Sequence, residues 1–156
     1  MATIKILVGT MTGTAELVAE EICDQFVDLG HEVDVVPMDG LDAAVFAPGA
    51  TYLVCVSTYG QGDVPDNALG VFEDLAAGRP DLSALAYGMI SLGDRTYADT
   101  YCHGGTRFDT LLGELGARRI GSAMEHDASD GTIPEEVALE WSREWINLID
   151  RQEQAA

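Results

Sequence analysis

Basic side chains are scarce in this sequence. Its 156 residues include 8 Lys and Arg against 27 Asp and Glu, which gives a formal net charge of -19 at pH 7. Nucleic acids and anionic membranes are therefore poor partners, because the electric field of this negative charge would oppose every contact with a phosphate. The same field would attract basic protein surfaces and speed their encounter. Composition alone does not separate this role from simple solubility or from adaptation to a salt-rich host.

Cysteines are few, and long apolar runs are missing. Cys23, Cys55 and Cys102 are odd in number and widely spaced, which argues against a disulfide framework, a redox dithiol or a zinc site. No apolar run reaches the length of about 20 residues that crosses a membrane. The residues after Met1 lack the basic flank and long apolar stretch of a signal peptide. We therefore expect a cytoplasmic protein.

Apolar runs of strand length alternate along the chain with helical patterns. Strands are predicted near residues 3–9, 32–37, 50–57, 86–92 and 118–125. Helices are predicted at 14–29, near 40–46, 67–77 and 105–115, and from Pro134 to about 151. Strict alternation predicts one domain over residues 1–156. Its fold class would be a three-layer α/β/α sandwich with a five-stranded parallel sheet of order 2-1-3-4-5.

In such a sheet, ligands bind outside the carboxyl ends of the strands, where the strand order reverses. The predicted order places this point between strands 1 and 3, beside strand 4. The loops that matter are therefore those after Gly9, Ser57 and Leu92.

The first of these loops offers hydroxyl groups and a helix start. It reads Thr-Met-Thr-Gly-Thr-Ala-Glu from Thr10 to Glu16, with no Lys or Arg. Three hydroxyls and the free N–H groups of a helix N-terminus can hold a phosphate without a cation. The loop is neither the glycine-rich loop of nucleoside triphosphatases nor a dinucleotide fingerprint. A simple helix cap is the alternative, although a cap needs only one hydroxyl.

The second and third loops combine glycine with tyrosine. They comprise residues 57–67 and 92–102. Gly60 and Gly62 allow the backbone to approach a ligand closely, and Tyr59 and Tyr97 offer flat faces for stacking. Each loop alone is ordinary surface sequence. Their meeting at one predicted crevice favours a flat aromatic cofactor that carries a phosphate.

The three loops resemble the phosphate loop and the two isoalloxazine loops of the flavodoxin family. The matching stretches are Thr-Met-Thr-Gly-Thr-Ala-Glu, Ser-Thr-Tyr-Gly-Gln-Gly-Asp-Val-Pro-Asp-Asn and Leu-Gly-Asp-Arg-Thr-Tyr, in this order. The similarity spans essentially the whole chain. The branch that it resembles comprises short flavodoxins similar to the FMN domains of diflavin reductases, such as sulfite reductase and nitric-oxide synthase.

The resemblance implies one non-covalently bound FMN held by all three loops. The phosphate would be held by Thr10, Met11, Thr12, Gly13, Thr14 and Ala15. One side of the flavin would be bordered by Ser57, Thr58, Tyr59, Gly60, Gln61 and Gly62. The other side would be bordered by Leu92, Gly93, Asp94, Tyr97, Asp99, Tyr101 and Cys102.

The same resemblance implies an electron carrier, not an enzyme. It would shuttle single electrons between a reductase and acceptor proteins through the semiquinone/hydroquinone couple of FMN. The implied partners are redox proteins with basic surfaces, namely an NAD(P)H-dependent reductase as donor and an acceptor enzyme. We expect a monomer that binds neither nucleic acid nor membrane.

Two other functions fit the same fold class. An FMN-dependent NAD(P)H quinone or azo reductase would need a second pocket, and the chain shows no insertion to supply one. A phospho-receiver signalling module would need an Asp at the end of strand 3, where this chain has Ser57-Thr58-Tyr59. A low-molecular-weight phosphatase is excluded more firmly, because the first loop contains no Cys or Arg.

Several conspicuous residues are assigned no role at the predicted site. Trp141 and Trp145 recur at helical spacing and predict a core stripe. Cys55 lies in a predicted buried strand and is interpreted as packing. The histidines show no ligand spacing, so no metal site is expected. Asp127 and Asp130 are interpreted as solvated loop carboxylates, with the edge of the crevice as the alternative.

Overall fold

The computed structural model describes most of the chain. The described residues are 3–9, 14–38, 41–42, 45–46, 49–57, 66–93, 103–127 and 131–155. The strands are β1 (Thr3–Gly9), β2 (Glu32–Pro37), β3 (Thr51–Ser57), β4 (Ala86–Gly93), β5 (Arg118–Arg119) and β6 (Met124–Asp127). The helices are α1 (Thr14–Asp28), α2 (Asp66–Gly78), α3 (His103–Glu114) and α4 (Pro134–Ala155). No helix within these ranges has the length and hydropathy needed to cross a membrane.

The strands form one parallel sheet in the order β2-β1-β3-β4-β5, with β6 also pairing with β4. The predicted order is therefore confirmed, but the predicted fifth strand is two short strands. Between them, Gly121 has a φ of 70° and Leu148 Cδ1 lies 3.0 Å from where its Cβ would be. A left-handed residue cannot continue a strand, so the chain leaves β4 and pairs with it again at Met124.

The helix predicted near residues 40–46 lies partly outside the described residues and stays a prediction. The described residues there form turn bonds, from the Leu41 N–H to the Met38 carbonyl and from the Val45 N–H to the Asp42 carbonyl, both 3.2 Å. A segment of about two turns is too short to form a stable helix by itself. Packing fixes it instead, because the Tyr52 hydroxyl donates to the Val45 carbonyl at 3.0 Å.

Two apolar layers cover the two faces of the sheet. One packs α1 and α4 against the sheet, and the other packs α2 and α3. On α1, Val18, Ile22 and Phe26 are buried, whereas Leu17 and Leu29 are 56% and 58% exposed. The apolar periodicity of residues 14–29 predicts that both leucines share the buried face with these three residues, and this prediction is wrong. Leu17 lies about 100° around the helix from Val18, and Leu29 follows the last helical residue.

The tryptophan stripe of α4 lies in the core, as predicted. Trp145 and Ile149 are buried, and Trp141 packs partly buried against them. The indole of Trp145 stacks between Phe26 and Trp141, with centroid distances of 5.9 and 5.8 Å. It also packs against β4, where a Cβ at Gly88 would be 2.5 Å from its Nε1. Glycine at position 88 therefore sets how closely α4 approaches the sheet.

Gly88→Ala should destabilise the fold by about 1–3 kcal/mol, because the new methyl group would overlap the Trp145 ring. Gly113→Ala is the matched control, since Gly113 lies in α3 with nothing within 4 Å of its Cβ position. This control should raise stability by roughly 0.5–1 kcal/mol. Urea unfolding measures both variants. Equal stability of the two would contradict the assigned role of Gly88.

A polar cluster joins β4, α3 and β5. The Tyr87 hydroxyl donates to the Asp109 carboxylate and, at 3.2 Å, to the Asp109 carbonyl. The Arg119 guanidinium pairs with the same carboxylate, and its Nε donates to the Gly121 carbonyl at 3.2 Å. Burial raises the pKa of Tyr87 above its usual range, and the hydrogen bond with Asp109 adds to this shift. The cluster therefore holds α3, which follows the third predicted loop, against the sheet.

This cluster predicts an alkaline loss of stability. Because the pKa of Tyr87 is raised in the folded state, its contribution is complete below pH 10 and is lost as the pH rises further. Tyr87→Phe should cost about 1 kcal/mol at pH 7 through the lost hydrogen bond. It should also remove this part of the decline above about pH 10. Urea unfolding between pH 7 and pH 11 tests both effects, and parallel stability curves for wild type and variant would contradict them.

Candidate functional site

The carboxyl ends of three neighbouring strands lie side by side. β1 ends at Gly9, β3 at Ser57 and β4 at Gly93. Gly9 pairs with Val56, and Ser57 pairs with Leu92, so each strand end is offset from that of its neighbour by one residue, or about 3.3 Å. β1 lies between β2 and β3, so the order reverses here as predicted. The three predicted loops therefore leave the sheet at one place.

The structure describes only part of the predicted cofactor-binding set. Its described members are Thr14, Ala15, Ser57, Leu92 and Gly93. They lie at the start of α1 and at the ends of β3 and β4, which meet at this edge. The other members lie outside the described residues: Thr10, Met11, Thr12, Gly13, Thr58, Tyr59, Gly60, Gln61, Gly62, Asp94, Tyr97, Asp99, Tyr101 and Cys102. Their contacts with a cofactor stay a prediction.

The first turn of α1 is tied to the centre of the sheet. Cys55 of β3 is fully buried, and its Sγ donates to the Ala15 carbonyl at 3.6 Å. Burial raises the pKa of this thiol to about 12, so it stays neutral and acts as packing, in agreement with the sequence-based interpretation. The first amides of α1 have no carbonyl partner within the helix. They are therefore held at the carboxyl edge, where an anion can accept their hydrogen bonds.

Gly9 is a site residue that the sequence reasoning missed. A Cβ at this position would lie 2.6 Å from the Ala68 Cβ, 3.0 Å from Val56 Cγ1 and 3.1 Å from Met38 Cε. Only glycine lets α2 pack this closely over the end of β1, immediately before the first predicted loop. A glycine at the last position of a buried strand was the available signal.

β6 brings a fourth strand end to the same edge. Asp127 pairs with Gly93, and His126 pairs with Leu92. His126 is buried, with its Nε2 2.9 Å from Thr132 Oγ1 in a hydrogen bond. The alternative reading of Asp127, as a carboxylate at the edge of the crevice, therefore agrees with its register. Within the described ranges, no three His, Cys, Asp or Glu side chains are grouped to hold a metal ion.

Known proteins match this chain over nearly its whole length. The flavodoxin family model matches residues 6–141. Flavodoxin YqcA of Pectobacterium carotovorum subsp. carotovorum is 41% identical over 152 residues, which cover 97% of this chain and 100% of the relative. A solved structure of a mutant flavodoxin from Pseudomonas aeruginosa has a TM-score of 0.84 and 35% identity, and the match covers 95% of this chain and 99% of that one.

A larger protein also contains a similar segment. The flavoprotein alpha-component of NADPH sulfite reductase from Bacillus subtilis is 34% identical over 139 residues. The match covers 88% of this chain but 22% of that protein. This relative agrees with the resemblance to the diflavin reductases that the loops predicted.

The fold is that of a doubly wound α/β protein, a class that binds its ligands at the carboxyl edge of a parallel sheet. The matches are specific to one group of such proteins, and this chain belongs to the flavodoxin family. It is an FMN-binding electron-transfer flavoprotein, and FMN is its cofactor. The described residues fit this cofactor, because free helix amides and three adjacent loop origins meet at one edge.

Gly9→Ala should weaken both folding and FMN binding. The added methyl group would overlap Ala68, at a cost of about 1–3 kcal/mol, and would displace α2 or the start of the first loop. Flavin fluorescence in a titration with FMN measures the affinity, and urea unfolding of the FMN-free protein measures stability. Gly113→Ala should leave FMN affinity unchanged. Unchanged FMN affinity and stability in Gly9→Ala would contradict the assigned role.

Proposed function

We propose that this chain is a single-domain carrier of single electrons between a reductase and acceptor proteins. The supporting observation is that three neighbouring strands end side by side, at Gly9, Ser57 and Gly93. The three predicted FMN loops start from these ends. Bound there, FMN would supply the chemistry of one-electron and two-electron exchange. The protein holds the cofactor and sets the local field.

The phosphate end is held without a basic side chain. The sequence from Thr10 to Glu16 contains no Lys or Arg, and α1 starts within it at Thr14. Hydroxyls of Thr10, Thr12 and Thr14 would donate to the phosphate together with the free amides of the first turn. No basic side chain in this loop therefore offsets the negative charge of the protein. That charge acts undiminished at the flavin end of the site.

The negative charge at this edge affects the free energy of each reduction step. Asp127 lies in register with Gly93, and Asp94 follows immediately in the third predicted loop. Each carboxylate opposes further negative charge at this edge by about 1 kcal/mol or less at partly solvated distances. The local field therefore makes the second one-electron reduction harder than it would be in water.

The acidic surface also selects the partners. A chain of net charge -19 attracts proteins with basic surfaces and accelerates their encounter at low salt. The donor would be an NAD(P)H-dependent reductase, and the acceptor would be an enzyme with a basic docking face. A cytoplasmic monomer is the form that such a carrier would take.

Anaerobic stepwise reduction of the FMN-loaded protein tests the proposal. The absorption spectra should resolve two separate one-electron steps, because the acidic field shifts the second step to lower potential. With NAD(P)H alone the protein should stay oxidised, and a flavodoxin reductase should be needed for reduction. Both electrons entering together would contradict the carrier. Steady oxidation of NAD(P)H without a reductase would favour the quinone or azo reductase instead.

A further inference from the structure

A groove of about 620 Å³ runs between the second half of α1 and the middle of α4. We call it the flank groove. Gln25, which lines it, joins the two helices: its Nε2 donates to Ser142 Oγ at 2.6 Å, and its Oε1 accepts from Arg143 Nε at 3.3 Å. These bonds fix the spacing of α1 and α4, so the groove is formed before any ligand arrives.

The two helices that form the flank groove are unusually acidic. α1 carries five acidic and no basic residues in 15 positions, and α4 carries six acidic and two basic residues in 22. Together they hold a net charge of -9 of the chain total of -19, on about a quarter of the residues. The flank is therefore about twice as negative, per residue, as the chain as a whole.

Three carboxylates of this set line the groove itself. Glu21, Asp24 and Asp28 project from successive turns of α1. Among the described residues, no salt bridge involves these three carboxylates. Unpaired carboxylates at fixed spacing along one helix attract a row of basic side chains.

Apolar side chains accompany the carboxylates. Leu29, Leu139 and Ile146 also line the groove. Four large apolar side chains are at least half exposed in the described residues, and three of them lie on α1 or directly after it: Leu17, Val27 and Leu29. The lining also contains the cation Arg143, which donates to Gln25, so the charge of the groove is net negative and not of one sign. An apolar groove with such a net negative border is the kind of surface that an amphipathic helix of opposite charge recognises.

We infer that the flank groove docks a basic amphipathic helix of a partner protein. Its Lys and Arg side chains would pair with Glu21, Asp24 and Asp28, and its apolar face would cover Leu29 and the half-buried Leu139. This surface is separate from the carboxyl edge. α1 starts at that edge, and Gln25 lies 11 residues further along, or about 16 Å. A partner bound there would leave the FMN edge open to a second protein.

A synthetic peptide tests the surface directly. The probe is a 14-residue peptide of Leu and Lys, with leucines at helical spacing, titrated into the FMN-loaded full chain. Calorimetry should detect binding, and amide NMR shifts should map to the second half of α1 and the middle of α4. A peptide of equal composition with strictly alternating Leu and Lys should bind about fivefold more weakly, because it presents no apolar helical face.

Matched variants separate the groove from net charge. Glu21→Gln combined with Asp24→Asn should weaken peptide binding about tenfold. Glu73→Gln combined with Glu114→Gln removes two charges from exposed positions on α2 and α3, and should weaken it less than about twofold. Both double variants should bind FMN as the wild type does, which separates this inference from the proposed function.

Several results would overturn the inference. Equal losses in the two double variants would show attraction to the net charge only. NMR shifts confined to the carboxyl edge would place the peptide on the FMN face. Absence of binding at about 1 mM peptide and low salt would remove the site. A chain that dimerises through α1 and α4, with the peptide competing, would make a second copy the occupant instead.

Discussion

The parallel pairing of β1, β3 and β4 is the constraint on which the rest of the structure depends. The register fixes Gly9 beside Val56 and Ser57 beside Leu92. Three chain segments must therefore leave the sheet at the same edge. A one-residue slip of any strand would turn its apolar side chains from one core layer to the other. The same burial that stabilises the sheet therefore also brings together the strand ends from which the predicted cofactor loops start.

Close packing fixes the positions of the helices relative to these strands. Gly9 and Gly88 let α2 and α4 approach the sheet at distances that a single methyl group would prevent. The bond from Cys55 to Ala15 and the cluster of Tyr87, Asp109 and Arg119 attach α1 and α3 to the same strands. The start of each helix is thereby placed relative to the strand end before it, which determines where a loop between them can reach.

Charge is distributed independently of this packing. The core needs only the inward faces of α1 and α4, so their outward faces are free to carry acidic residues without cost to the sheet. The packing of the sheet therefore does not require their high acidity or the exposed side chains of Leu17 and Leu29. A carrier that must meet more than one partner benefits from surfaces that do not overlap. The FMN edge and the flank groove would meet that need.

Local patterns predicted the regular elements closely, because strand and helix periodicities are properties of neighbouring residues. β1 and β2 have the predicted bounds, and α1 ends within one residue of its prediction, just before Gly30. The errors have tertiary causes. The last part of the sheet is divided by the left-handed Gly121. Leu17 and Leu29 have apolar character but point away from the sheet.

By itself the sequence determined the fold class, the strand order and the three loops that resemble FMN-binding loops, because these depend on periodicity, handedness and residue chemistry. Only the tertiary structure decided that Gly9 must be glycine, that Asp127 reaches the carboxyl edge, and that Gln25 joins two helices beside a groove. Each of these facts is a distance between residues far apart in the chain. Such distances are set by how whole layers pack, and no local pattern encodes them.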